Sequence, residues 1–512
     1  MPFVQNHILS LILFFPAASA LVVLAIPRDR LAGIRWVSLL ASLIPLGMAI
    51  VLWIAYDPSQ AGFQFVEQAP WYTTINANYH LGVDGISLVM VLLTALLTTL
   101  AILVSWNVQD NLRTYMVLFL LLETGLLGVF LSLDLLMFFV FWEIGLVPIY
   151  FLIDHWGGEK RHGAALKFLI YTMGGSLGLL LAIQLIGVAT GTFDIVQVAA
   201  RWSSIGGPLT LLGLPITVPI STVKAIAFWA FVIAFAIKIP VWPFHTWLPD
   251  AYSEAPTAGS MLLAGVMAKL GAYGFLRLVL PLYPEQARNY AWVLALLATV
   301  AIILGALSAW GQRDFKRLVA YSSVNHMGWV VLAIAAAAYA RGSLSAQDSV
   351  IAMNGAVLQM FNHGVSTAGM FLLVGVIAER THTRNLDEYG GLFPLAPVYG
   401  GLLLFTAMAW LGLPGLNGFV SEFMVVRGVW PIFTLFTALS MLGLLITGAY
   451  VLKGIREVLH GPINTRWAEI KMEISRREVF ALSPLVALML AIGIWPAWIL
   501  NVFNQTVLRL FG

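Results

Sequence analysis

Apolar runs of roughly twenty residues, parted by short stretches that hold most of the charge, recur along the whole chain. At 1.5 Å per residue, each run makes a helix long enough to cross a hydrocarbon layer of about 30 Å. The pattern predicts an all-α polytopic membrane protein with about fourteen transmembrane helices. They fall at 8–26, 35–55, 83–105, 114–132, 134–153, 165–189, 222–250, 256–281, 291–310, 318–338, 351–378, 395–429, 432–455 and 479–503. An even count leaves both termini on one face. The first run has no Lys or Arg before it and is followed by Arg28, Arg30 and Arg35, the reverse of a cleavable signal, so it reads as a retained span with its amino terminus outside.

The basic residues test that count, because cytoplasmic loops hold the excess of Lys and Arg. Most of the 27 fall after odd-numbered spans, Arg113, Lys160, Lys167, Lys316, Arg317 and Arg384 among them, whereas the opposite loops hold only Arg201, Arg288, Arg341 and Arg509. One missed span would scramble this division, which places both termini outside.

Composition narrows the function. With 60% hydrophobic and 10% charged residues and a mean hydropathy of +0.90, the chain lies outside the range of soluble domains. A net charge of +3 from scattered basic residues argues against nucleic acid as a partner. There is no cysteine, which excludes thiolate-bound zinc and Cys-ligated iron–sulfur clusters, and no histidine pair has the spacing of a metal site. No cofactor is expected in this chain.

Chemistry is therefore sought among charges inside the spans, where each costs about 2.5–3.5 kcal/mol or more and persists only if paired, hydrated or needed. Lys224, Lys238, Lys269, Arg277 and Arg427 are the basic ones; Glu123, Glu143 and Glu422 are their acidic counterparts. Glu143 in FFVFWEIGLVP and Lys238 in FAIKIPVWP are flanked by side chains that cannot solvate them, so each can neutralise the other. As a fixed pair they would set helix register; as a movable one they would switch the lysine between binding and releasing a proton. Lys269 has no acid nearby in sequence and suits a central site that is neutral part of the time.

Span seven is interrupted by Pro240 and Pro243, and span twelve by Pro414, Gly415 and Gly418 ahead of Glu422. Irregular backbone at membrane depth is tolerated where it is enclosed by protein or lines a wet cavity. The two breaks hold matching places in two runs of five spans, 114–281 and 291–457, with a three-helix segment at 1–110 before them and a loop and last helix at 458–512 after. Five spans per unit inverts the second unit, an arrangement common in transporters. His245, His326 and His363 fall in or near polar patches; Ser322 shares a helix face with His326, as do Ser366 and Thr367 with His363. An imidazole suits a proton relay between the lysines and Glu422.

The stretch KIPVWPFHTWLPDAYSEAPTAGSMLLAGVMAKLGAYG, with FWEIGLVPIYFLI before it and YSSVNHMG, FNHG and LPGLNGFVSEF after it, resembles the antiporter-like subunits of respiratory complex I, the NADH-quinone oxidoreductase, and most closely their M-type branch. The likeness spans essentially the whole chain. It implies proton translocation in the membrane arm while electrons pass elsewhere, with Glu143, Lys238, Lys269 and Glu422 as the acid of span five, the lysines of spans seven and eight and the exit-side acid of span twelve. NADH, flavin, iron–sulfur clusters and quinone would then belong to other subunits, L-type and N-type antiporter-like chains would be neighbours, lipids would fill the seams, and the location would be a bacterial inner membrane. A Glu at 422 and an end soon after span fourteen favour the M type over L.

Protons are expected to enter near Lys238 and Glu143, pass Lys269, His326 and His363, and leave by Glu422. A subunit of an Mrp-type sodium/proton antiporter or of an energy-converting hydrogenase, and a mainly structural scaffold, are the alternatives.

Overall fold

The computed structural model describes residues 6–202, 204–210 and 217–512. Among these, thirteen helices are long and apolar enough to cross a membrane, and span twelve is present as two shorter helices, Pro397–Leu411 and Asn417–Val429. Each predicted span thus has its helix. The most apolar window of span eight (Thr257–Leu282) and of span eleven (Ala346–Thr381) is wholly buried, while that of span two, thirteen or fourteen is only one-third buried. Spans eight and eleven, with span ten (Phe315–Ala340), therefore form the centre, and the others shield them while turning Leu, Ile and Val outward as lipid requires.

The helix interruptions follow from local chemistry. Span seven ends as Ile220–Lys238 and resumes at Leu248–Glu254. Pro240 has no N–H to return to the Ala236 carbonyl, and Val241 donates to it instead at 2.9 Å. The Trp247 indole donates to the Ile237 carbonyl at 2.9 Å, satisfying another helix end. In span twelve, Gly412 and Gly415 both have positive φ, at +89° and +93°, which lets the chain turn between the two halves. Span five, predicted as continuous, is divided at Gly145 into Leu135–Ile144 and Leu146–Trp156, because Pro148 cannot donate to the Ile144 carbonyl. The predicted span fourteen is also two helices: Arg476–Ile494 stops before Pro496, and a separate helix, Ala497–Phe511, packs on spans three and eleven.

A hairpin escaped the helical pattern altogether. Strands β1 (Gln64–Tyr72) and β2 (Ala77–Val83) pair antiparallel between spans two and three. Glu67 of β1 accepts from the backbone N–H of Leu9 at 2.7 Å, capping span one with a carboxylate where the helix dipole favours negative charge. On β2, His80 Nδ1 lies 2.8 Å from Asp194 Oδ2 in the loop after span six. Burial alone would raise the Asp194 carboxyl, but His80 and the N–H groups of Gln197 and Val196 hold it below its ordinary value. The hairpin thus ties the start of span one to the loop after span six.

Arg277 is explained by a partner the sequence reading passed over. Asp84 caps span three by accepting from Ile86 and Ser87, and it also pairs with Arg277, whose Nε donates to the Tyr273 hydroxyl at 3.2 Å. Both members are buried, so removing one strands the other. We expect Asp84→Leu or Arg277→Leu alone to destabilise by about 3–5 kcal/mol and the double substitution by less than their sum. The apparent melting temperature of the detergent-solubilised protein measures this.

Candidate functional site

Lys269 lies at the centre of span eight with no exposed surface. The helix around it is not regular: a π-helical turn, Leu263–Met267, precedes it and another, Phe275–Val279, follows. Such a turn releases backbone carbonyls from the helical ladder, and Lys269 Nζ donates to the carbonyl of Ala264 at 2.5 Å. Its other contact is His363 Nδ1 of span eleven, at 2.6 Å.

Two glycines make this contact possible. A Cβ on Gly364 would lie 2.8 Å from the carbonyl oxygen of Gly265, and one on Gly265 would lie 2.4 Å from Leu97 Cδ1. The backbones of spans eight and eleven therefore touch beside Ala264 and His363, with no side chain to hold them apart. Without that approach the ammonium would have one polar contact instead of two.

The line continues across the bundle. The rings of His363 and His326 have centroids 5.7 Å apart. His326 Nδ1 is 2.8 Å from Glu422 Oε1, and its Nε2 is 3.4 Å from the Tyr450 hydroxyl. Gln359 donates to the same Glu422 oxygen at 3.2 Å. The sequence-predicted residues Lys269, His363, His326 and Glu422 thus form one buried row, drawn from spans eight, eleven, ten and twelve.

The row can hold a proton in more than one place. A protonated Lys269 donates to a neutral His363, and a neutral Lys269 accepts from His363 Nδ1–H, so the same contact serves both arrangements. Both groups cannot comfortably be charged, since two like charges 4 Å apart repel by about 4 kcal/mol even at an effective dielectric constant of 20. His363 Nε2 has no protein partner, although His326 is its next neighbour along the row. Glu422, at the far end, meets His326 Nδ1 and accepts from Gln359 on the same oxygen.

Amide side chains position the last member. Asn362 donates to the Asn417 carbonyl at 2.7 Å and to Ser421 Oγ at 3.0 Å, Asn417 donates to Ser366 Oγ at 3.1 Å, and Ser421 Oγ donates to Gln359 Oε1 at 2.5 Å. These bonds pin the second half of span twelve to span eleven. Gln359 and Asn362 went unremarked in the sequence although Asn and Gln are rare in so apolar a run. The hydroxyls expected to serve the histidines do not bond them: Ser322 donates back to Val319, Ser366 belongs to the Asn417 cluster, and Thr367 Oγ1 has no partner.

The other candidates lie apart. Lys238 is the final residue of its half-helix, where the carbonyl end of the dipole favours a cation. Among the described residues its ammonium has no hydrogen-bond partner, and it sits 4.8 Å from the centre of the Trp142 ring. Glu143 is the acid that acts on it, but the two are not in ion-pair contact, and Glu143 is partly exposed at the Gly145 interruption of span five. Glu123 is fully buried, and among the described residues neither of its carboxyl oxygens has a partner. His245 stands in the span-seven break, its ring 6.4 Å from Tyr321 and outside the row. Lys224 donates to the Ile205 carbonyl at 3.0 Å, and Arg427 is exposed. Lys316, assigned to a loop from hydropathy, is instead buried in the first turn of span ten. No three His, Asp or Glu side chains among the described residues converge as metal ligands would.

Residues 132–447 match the family described as NADH:quinone oxidoreductase/Mrp antiporter, TM. The chain is 38% identical to NADH-quinone oxidoreductase subunit M of Rhodobacter capsulatus, covering 99% of this chain and 96% of that protein. It is 39% identical to NAD(P)H-quinone oxidoreductase chain 4 1 of Synechococcus elongatus, covering 98% and 90%. Among solved structures, a chain of respiratory complex I from Thermus thermophilus with bound NADH superposes with a TM-score of 0.83 at 28% identity, over 98% of this chain and all of that one. A chain of the Mrp complex from a Dietzia species gives the same TM-score at 20% identity, covering 99% and 97%, a likeness of fold alone.

The glycine contact gives a test of the packing. Gly364→Ala is expected to force spans eight and eleven apart and to destabilise by about 1–3 kcal/mol. Gly401→Ala, where an added Cβ meets nothing within 4 Å, should leave the melting temperature unchanged.

Proposed function

The chain belongs to the NADH:quinone oxidoreductase/Mrp antiporter transmembrane family, and from that premise we propose that it is a proton-translocating membrane subunit of an NADH-quinone oxidoreductase, respiratory complex I. The observation that carries this reading is the buried row from Lys269 to Glu422, a set of exchangeable proton sites enclosed by apolar helices. Electron transfer, with its NADH, flavin, iron–sulfur clusters and quinone, belongs to other subunits, and this chain performs no redox chemistry. L-type and N-type antiporter-like subunits flank it, with lipids in the seams. It sits in a bacterial inner membrane with both termini on the outer face.

In this mechanism the row crosses between the two five-span units, since Lys269 lies in 114–281 and His363, His326 and Glu422 lie in 291–457. A proton on Lys269 moves to His363, then to His326, and leaves from Glu422. Lys238 and Glu143 act as the switch. The end of span seven touches span eight, where a Cβ on Gly271 would lie 2.6 Å from the Phe235 carbonyl oxygen. When Glu143 closes on Lys238 the lysine charge is balanced and Lys269 can hold a proton; when Glu143 withdraws, the uncompensated ammonium repels that proton toward His363. Movement at Glu143, partly exposed on span five, would transmit the signal from a neighbouring subunit. His245, in the break that follows Lys238 along the chain, has a place at the input end of this switch.

Lys269→Ala, Lys238→Ala and Glu143→Ala are expected to lower proton uptake by inverted membrane vesicles at least tenfold, with assembly and NADH oxidation by an artificial acceptor retained. Glu422→Gln should do the same, since an amide cannot carry the proton away. Normal uptake by the assembled variants would contradict the mechanism and favour a scaffold; sodium-dependent exchange without NADH would favour an antiporter.

A further inference from the structure

A polar cavity of about 980 Å³ opens on the face that carries most of the Lys and Arg, and the row has no member in it. Glu254, Asp314 and Arg384 meet in its wall: Arg384 Nη2 is 3.2 Å from Glu254 Oε1, and Arg384 Nε is 3.1 Å from Asp314 Oδ2. The other Glu254 oxygen accepts from the Lys160 backbone at 2.9 Å. Immediately inward lies Lys316, which is buried and under the influence of Arg384, Asp314 and Glu254. Its ammonium donates to the Ala255 carbonyl and, among the described residues, to no side chain.

That carbonyl is where polar atoms begin to climb toward the centre. Ser260 Oγ approaches the same Ala255 oxygen at 3.3 Å and bonds the Tyr252 carbonyl at 2.7 Å. The Tyr252 hydroxyl donates at 2.9 Å to Leu263, first residue of the π-helical turn, and the next residue, Ala264, holds Lys269. From Ser260 to Lys269 is nine residues, about 13 Å along the helix axis. On span eleven, Thr367 stands one turn from His363 with its buried hydroxyl unbonded. Among the described residues no comparable set of bonds joins Lys238 to Lys269, because the Lys238 ammonium has no hydrogen-bond partner there.

We propose that this cavity is the inlet from which Lys269 is loaded, and that Lys316 is the residue that passes the proton inward from Glu254. A proton taken from water by the Glu254 carboxylate moves to a neutral Lys316 amine, restoring the carboxylate; the resulting ammonium releases it to water beside the Ser260 and Tyr252 hydroxyls, returning to the amine, and that water delivers it to a neutral Lys269 amine. Arg384, held by both Glu254 and Asp314, balances the acid between transfers. Lys238 and Glu143 then set the timing of the row without feeding it.

The inference rests on the translocation reading, and the test separates the two. Proton uptake per NADH oxidised is measured in vesicles holding the assembled complex with Lys316→Arg, Lys316→His, Glu254→Gln or Lys269→Met. Arginine keeps the buried charge but does not release its proton, so Lys316→Arg is expected to lower uptake at least fivefold despite intact folding. Lys316→His should recover uptake as the pH is lowered toward the imidazole range, and Glu254→Gln should match the Arg variant. Normal uptake with Lys316→Arg would overturn the inlet while a dead Lys269→Met still upheld the row. Normal uptake with Lys269→Met would overturn the row itself.

Discussion

A lysine ammonium withdrawn completely from water is the constraint around which this molecule is organised. Lys269 can be kept in an apolar bundle only if its charge is shared, moved or lost, and each structural irregularity nearby serves one of these ends. The π-helical turn frees a carbonyl for it, the Gly265 and Gly364 backbones bring His363 within a hydrogen bond, and His326 and Glu422 extend the network across the bundle. Apolar residues on the surrounding spans keep the dielectric low, so a change of one charge is felt by the next.

The helix breaks belong to the same design. A half-helix ending at Lys238 presents its carbonyl end to the ammonium, and a half-helix beginning at Asn417 carries Glu422 two residues short of two turns later. Neither position would be available on an unbroken span, where every carbonyl and N–H near it would be bonded within the helix. The amide cluster of Gln359, Asn362, Asn417 and Ser421 holds the second of these half-helices in register with the histidines, while Lys238 has no hydrogen bond among the described residues. The end of the site at Glu422 is thus stiff, and the end at Lys238 is loose.

Much of this was legible in the sequence because membrane proteins write their constraints plainly. Hydropathy located every span, prolines and glycines marked the breaks in spans seven and twelve, and rarity of charge singled out Lys238, Lys269 and Glu422. What was missed involved partners far apart in the chain or signals short enough to be lost in an apolar run. Asp84 and Arg277 are 193 residues apart, so no local pattern joins them. Lys316 looks like a loop residue because it follows Arg313 and Asp314, and only the packing of Ala255 against it shows that it is enclosed. The β1–β2 hairpin lay in a polar connection whose alternation is weak, and the Gly145 interruption was signalled by Pro148 alone.

The claim at the centre of this account is that one proton is handed from Lys269 to Glu422. It is tested most directly by infrared difference spectroscopy of the assembled complex on reduction with NADH, following the carboxyl stretch that disappears with Glu422→Gln. The account predicts that this band is also lost in Lys269→Met, because the proton that would reach Glu422 never starts. A Glu422 band of undiminished size in assembled Lys269→Met would contradict it, since Glu422 would then be receiving its proton from elsewhere.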